Sequence, residues 1–140
     1  MNKKSKRYKK FLETLTPKTL ENLKYHVSND VHFKDPLNDT RGINDMKKVF
    51  SHMFMNVKEV KFVVNYFTDM NKVCLMQWQF SGKLRGKNWE FDGASMITFS
   101  SEGYVTEHID YWDISRTLYE YLPIIGWILS LVRKRLSAHD

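Results

Sequence analysis

The chain has 140 residues, 42% of them hydrophobic and 14% aromatic, which suits one domain, residues 1–140, with room for a real core. Its net charge of +6 excludes less than it suggests, because six Lys or Arg lie within residues 1–10 and three more within 133–135. Residues 11–132 hold 13 basic and 15 acidic side chains, a poor basis for a dedicated nucleic-acid groove.

In chain order, Tyr8, Phe11, Leu12 and Leu15 fall at helical spacing and predict a helix over 6–15, overlapping the basic tail. Thr16-Pro17 is a helix-start signal, with Thr16 as N-cap and Leu20, Leu23 and Val27 as the apolar stripe. A short strand, Val31–Asp35, ends at Pro36, and a polar loop covers 38–42. Met46, Val49, Phe50, Met53, Phe54 and Val57 repeat at three and four and predict a helix over 43–57. Four long strands follow, at about 58–68, 72–85, 88–100 and 103–114, joined by short links that mean an antiparallel meander. A last helix runs from about 115 to 136, capped by Ser115 and bent at Pro123 and Gly126. The expected fold is α+β, a curved antiparallel sheet wrapped around N-terminal helices into a cone, with an extra C-terminal helix.

Alternation along a strand sorts residues between its faces. On 89–99 the set Trp89, Phe91, Gly93, Ser95, Ile97 and Phe99 is the apolar one and should face the helices. On 73–84 either set could face in, and on the last strand both sets carry polar groups. Asp35 shares a face with Val31 and Phe33, so a cavity on that face would bury its carboxylate and raise its pKa, as a proton-transferring base requires. The plainer role for the same residue is a turn before proline.

The Phe-Lys-Asp-Pro strand end, the Arg-Gly entry to the third helix and the Gly-Tyr-Val-x-x-His-x-x-Tyr-Trp-Asp last strand resemble the nuclear transport factor 2-like superfamily. The branch they resemble is that of SnoaL-like and ketosteroid isomerase-like proteins, over roughly residues 6–114. The resemblance implies a general base at Asp35, matching the family's Asp-Pro, and pocket-facing His108, Asp110 and Trp112. Where ketosteroid isomerases carry a Tyr and a protonated Asp as oxyanion donors, this chain has Phe11 and Ser95. The implied catalytic set is therefore Asp35, Asp110 and His108, and the implied substrate-binding set is Phe11, Phe33, Phe50, Phe54, Ser95 and Trp112. The fold hosts isomerases, cyclases, hydrolases and binders alike. Three readings stand: an acid–base enzyme on a small, largely apolar substrate, a non-catalytic binder of such a ligand, or a scaffold that forms homodimers through the outer sheet face.

No metal-ligand cluster, glycine-rich phosphate loop or cofactor fingerprint is present, so no cofactor is expected. Lone Cys74 suits a small core residue in a reducing compartment, and with no secretory signal a cytoplasmic location follows. The apolar run Leu122–Val132 is too short to span a bilayer. The last helix, broad in its stripe and basic at its end, has three candidate roles: capping the cone, packing on a partner subunit, or weak contact with a membrane surface.

Overall fold

The computed structural model describes residues 2–114, 131–132 and 134–137. Helix α1 (Lys3–Glu13) is capped by Asn2, whose side chain accepts the Ser5 N–H. A 3-10 helix (Thr19–Tyr25) leads into β1 (Val27–Lys34), then β2 (Asp39–Arg41) and α2 (Ile43–Asn56). The meander follows as β3 (Val57–Met70), β4 (Val73–Leu84), β5 (Lys87–Phe99) and β6 (Val105–Tyr111).

These strands form one six-stranded sheet in the order β2-β1-β6-β5-β4-β3. Every neighbouring pair is antiparallel except β1 with β6, which is parallel, so the sheet is mixed rather than wholly antiparallel. Sequence periodicity finds strands but not which distant strands pair. Three other segments differ from expectation. Val27, expected on the helical stripe, opens β1 four residues before the expected strand start at Val31, because the preceding helix is a short 3-10 turn ending at Tyr25. The polar loop at 38–42 contains β2, because Asp35 and Asn38 close a tight hairpin that returns the chain along β1. The Thr16 hydroxyl does accept the Thr19 N–H at 3.1 Å, but the helix that follows is 3-10 with Lys18 at its formal cap.

The sheet is curved and unclosed, and two bulges in β3 bend it. One, between Val64 and Tyr66, frees the Val64 N–H, which donates to Glu13 on α1 at 2.9 Å. The other, between Lys58 and Lys61, faces Gly82, where a Cβ would lie 2.5 Å from the Val57 side chain. The concave face holds Tyr8, Leu12, Leu20, Leu23, Phe33 and Met46 against Cys74, Met76, Ile97 and Phe99. Burial pushes the Cys74 thiol up to about 11, which leaves it an inert core residue. Most of the expected last helix, including Ser115, Leu118, Pro123 and Gly126, lies outside the described residues, although 131–132 and 134–136 are helical. Among the described residues no helix is long and apolar enough to cross a membrane.

Candidate functional site

A cavity of about 210 Å³ lies between the helices and the concave face of the sheet. Phe33, Phe50, Phe54 and Trp112 line it. Asp35, His108 and Asp110 line it as well. The inner faces are settled by burial. Ser95, Ile97 and Phe99 are buried on β5, Cys74, Met76, Trp78 and Phe80 on β4, and His108 on β6.

Asp35 stands one residue beyond β1, half-buried, where Pro36 turns the chain away. Its Oδ1 accepts the N–H of Leu37 at 2.8 Å and of Asn38 at 2.7 Å, and the Asn38 side-chain amide at 3.1 Å. The turn role and the cavity role therefore coincide in one carboxylate. Oδ1 fixes the turn, and among the described residues Oδ2 meets only the Asn38 amide at 3.3 Å. Burial raises the Asp35 pKa from its ordinary value. The turn's hydrogen bonds oppose that shift, and the negative charge of Asp110 adds to it.

Asp110 is held by a chain of hydrogen bonds that crosses the sheet. Trp78 Nε1 donates to Ser95 Oγ at 2.8 Å, and Ser95 Oγ donates to Asp110 Oδ1. Ser95 and Asp110 are cross-strand partners, so their side chains emerge side by side. Trp78 reaches Ser95 by lying over its own cross-strand partner, Gly93, where a Cβ would sit 2.4 Å from the indole. His108 Nε2 lies 2.7 Å from Asp110 Oδ1, and His108 Nδ1 lies 2.7 Å from the Tyr8 hydroxyl. An ionised carboxylate can only accept, so Nε2–H donates to Asp110, and in the neutral ring Nδ1 then accepts from Tyr8 O–H. Burial, with the charge of Asp110, holds the Tyr8 phenol well above its ordinary pKa, which keeps it a donor. His108 thus has both nitrogens engaged by protein, while Asp110 accepts two protein donors on Oδ1.

Two expected substrate contacts fall elsewhere. Phe11 is buried but lies off the cavity, stacked on His26 at 4.1 Å between centroids, and Leu12 and Leu15 supply the α1 wall instead. Ser95 is behind the cavity wall and reaches it through Asp110. Sequence reasoning missed Tyr8 and Trp78. Tyr8 sits one helical turn before Phe11, three residues earlier on the same stripe, and brings a hydroxyl to the site that Phe11 lacks. The signal for Trp78 was its place opposite a glycine in the neighbouring strand. Arg41 lies away from the cavity, at the entry to α2. Among the described residues no three His, Cys, Asp or Glu side chains are grouped to hold a metal ion.

An open, curved sheet packed over helices, with an apolar hollow that carboxylates help to line, defines a cone-shaped fold of the nuclear transport factor 2-like class. The model of the SnoaL-like domain matches residues 8–108, and the chain belongs to that family. No curated protein matches it in sequence. Among solved structures it is similar to a protein from Shewanella putrefaciens proposed to be a SnoaL-like polyketide cyclase. That pair shares 17% identity over 89% of this chain and 98% of the other, with a TM-score of 0.74. An LEH-like epoxide hydrolase from M. tuberculosis is 14% identical over 88% of this chain and 90% of its own, with a TM-score of 0.66. A protein of ketosteroid isomerase-like fold from Catenulispora acidiphila, in complex with trimethylamine, is 13% identical over 84% and 91%, with a TM-score of 0.71. At these identities the likeness is one of fold.

Proposed function

We propose that the protein is an acid–base enzyme acting on a small, largely apolar substrate, with Asp35 as general base and Asp110 as its proton-handling partner. The observation that carries this reading is that both carboxylates line one apolar cavity. A carboxylate with a raised pKa is a stronger base, suited to drawing a proton from a carbon next to a carbonyl. Asp110, with Oδ1 taken by His108 and Ser95, exchanges a proton at Oδ2. His108 acts through Asp110 as a positioning residue, because neither of its nitrogens is free for substrate. A cavity of about 150 Å³ accepts benzene. On that scale 210 Å³ takes a ligand of roughly eight to ten non-hydrogen atoms.

The test is deuterium exchange from heavy water into the α-carbons of small ketones such as indanone, followed by proton NMR. Asp35→Asn should reduce exchange by about 10²–10⁴-fold. The asparagine amide oxygen can still accept the Leu37 and Asn38 N–H bonds, so the variant should melt at or slightly above the wild-type temperature. Full exchange in a folded Asp35→Asn protein refutes the assignment of the base.

The engagement of both His108 nitrogens favours a second reading, a binder that holds its ligand unchanged. A small apolar molecule that co-purifies intact, with no exchange on any ketone, would select it. In either case we take the outer row Leu75, Met96 and Ile109, aligned across β4, β5 and β6, as the homodimer face. Light scattering on the purified protein tests that assignment.

A further inference from the structure

The charge of the cavity is at odds with the charge of the chain. Of 22 Lys and Arg residues, none is among the described residues that line it. Three carboxylates do: Glu13, Asp35 and Asp110. Glu13 is satisfied outside the cavity, by Lys9 Nζ at 2.9 Å and by the Val64 N–H. Among the described residues Asp35 has only neutral donors, the turn amides and the Asn38 side chain. Asp110 has Ser95 and His108, whose other ring nitrogen is taken by Tyr8. The remaining lining histidine, His52, is exposed on α2. Carboxylates drawn into an apolar hollow without a cationic partner are costly, and a cation within reach offsets that cost.

The walls point the same way. Phe33, Phe50, Phe62, Trp78, Phe91 and Trp112 are among the residues that line the hollow. Aromatic faces carry negative charge density and attract cations, most of all where water is excluded. Anions meet repulsion from the carboxylates, and a neutral molecule leaves the carboxylates unmatched.

We propose that the natural ligand is a small lipophilic amine, bound as its ammonium ion with the nitrogen at the Asp35 and Asp110 carboxylates and the hydrocarbon against the aromatic walls. This rests on the proton-transfer site proposed above and names the substrate class that site takes. The experiment is calorimetric titration of the purified wild-type chain at neutral pH with three probes of one shape: benzylamine, benzyl alcohol and benzoate. Benzylamine has eight non-hydrogen atoms, within the range of about eight to ten that the cavity accepts. Benzylamine should bind about tenfold tighter than benzyl alcohol, and benzoate more weakly than either. Asp35→Asn and Asp110→Asn should each narrow the amine's advantage over the alcohol. If a variant fails to fold by circular dichroism, the wild-type series decides. Equal or tighter binding of the alcohol or of benzoate, or binding of none of the three, overturns the proposal. The two readings fail separately: amine preference without ketone exchange removes only the enzyme, and exchange without amine preference removes only the amine.

Discussion

Tyr8→Phe removes one oxygen from the buried chain of hydrogen bonds and leaves everything else in place. Tyr8 is 1% exposed and His108 is 2% exposed, so water cannot readily replace the lost hydroxyl. The His108 Nδ1 lone pair would then be buried without a donor, which costs about 1–3 kcal/mol. The ring contacts of Tyr8 with Phe11, Phe99 and His108 survive in phenylalanine, so no cavity term is added beyond the hydroxyl itself. For a chain of this length a loss of that size lowers the melting temperature by roughly 3–10 °C. Urea unfolding followed by tryptophan fluorescence measures the free energy, and nitrogen NMR of the imidazole reports which ring nitrogen carries the proton. Wild type should show the proton on Nε2, and the variant should mix the two tautomers because Nδ1 no longer has a donor to accept from. An unchanged unfolding free energy, or a wild-type proton on Nδ1, refutes the directionality assigned to the whole chain.

Gly93→Ala should destabilise by about 1–3 kcal/mol, since the new methyl would sit 2.4 Å from the Trp78 indole and force it off Ser95. A double-mutant cycle with Trp78→Phe should recover part of that loss, and strict additivity would show that the two residues do not meet. His26, stacked on Phe11, has its pKa lowered to about 4, chiefly by burial and then by the Arg7 charge. Its ordinary value is about 6.5, so between the two the unfolded chain binds more protons and stability falls as pH drops through that window. With solvent screening allowed for, the effect is about 1–2 kcal/mol. His26→Phe should flatten the acid side of the stability curve between those limits, and an unaltered slope in chemical denaturation would count against the burial of the neutral ring.

Much of the architecture was legible because it is local. The spacing of Met46, Val49, Phe50 and Met53 could only be a helix, and observed α2 (Ile43–Asn56) ends within one residue of expectation. The apolar alternation of β5 identified its inner face correctly. What stayed hidden depends on contacts between distant segments. The parallel β1–β6 pair leaves no mark in either strand's periodicity, although it is what places Asp35 beside the end of β6. Phe11 and Tyr8 share a helical stripe, and only the docking of α1 decides that Phe11 meets His26 while Tyr8 meets His108. On β6 both faces carry polar groups, so hydrophobicity could not select between them. The resemblance to relatives chose the face with His108, Asp110 and Trp112, and those residues line the cavity.

The two carboxylates of the cavity are held in place by different physics, and that difference sets how each can be altered. Asp35 is fixed by contacts within four residues of itself, all in one tight turn. A side chain of the same shape can take over those contacts, so its charge is separable from the stability of the fold. Asp110 is fixed by a path through Ser95 on β5, Trp78 on β4, His108 on β6 and Tyr8 on α1, four elements joined by buried polar bonds. Each member left without its partner becomes a buried, unsatisfied group, so the path also locks α1 onto the sheet. Substitutions along it must lower stability and disturb the orientation of Asp110 together, whereas Asp35→Asn removes a charge and keeps the turn. Proton transfer between the pair would thus join one acid mounted on a local turn to another mounted on the core.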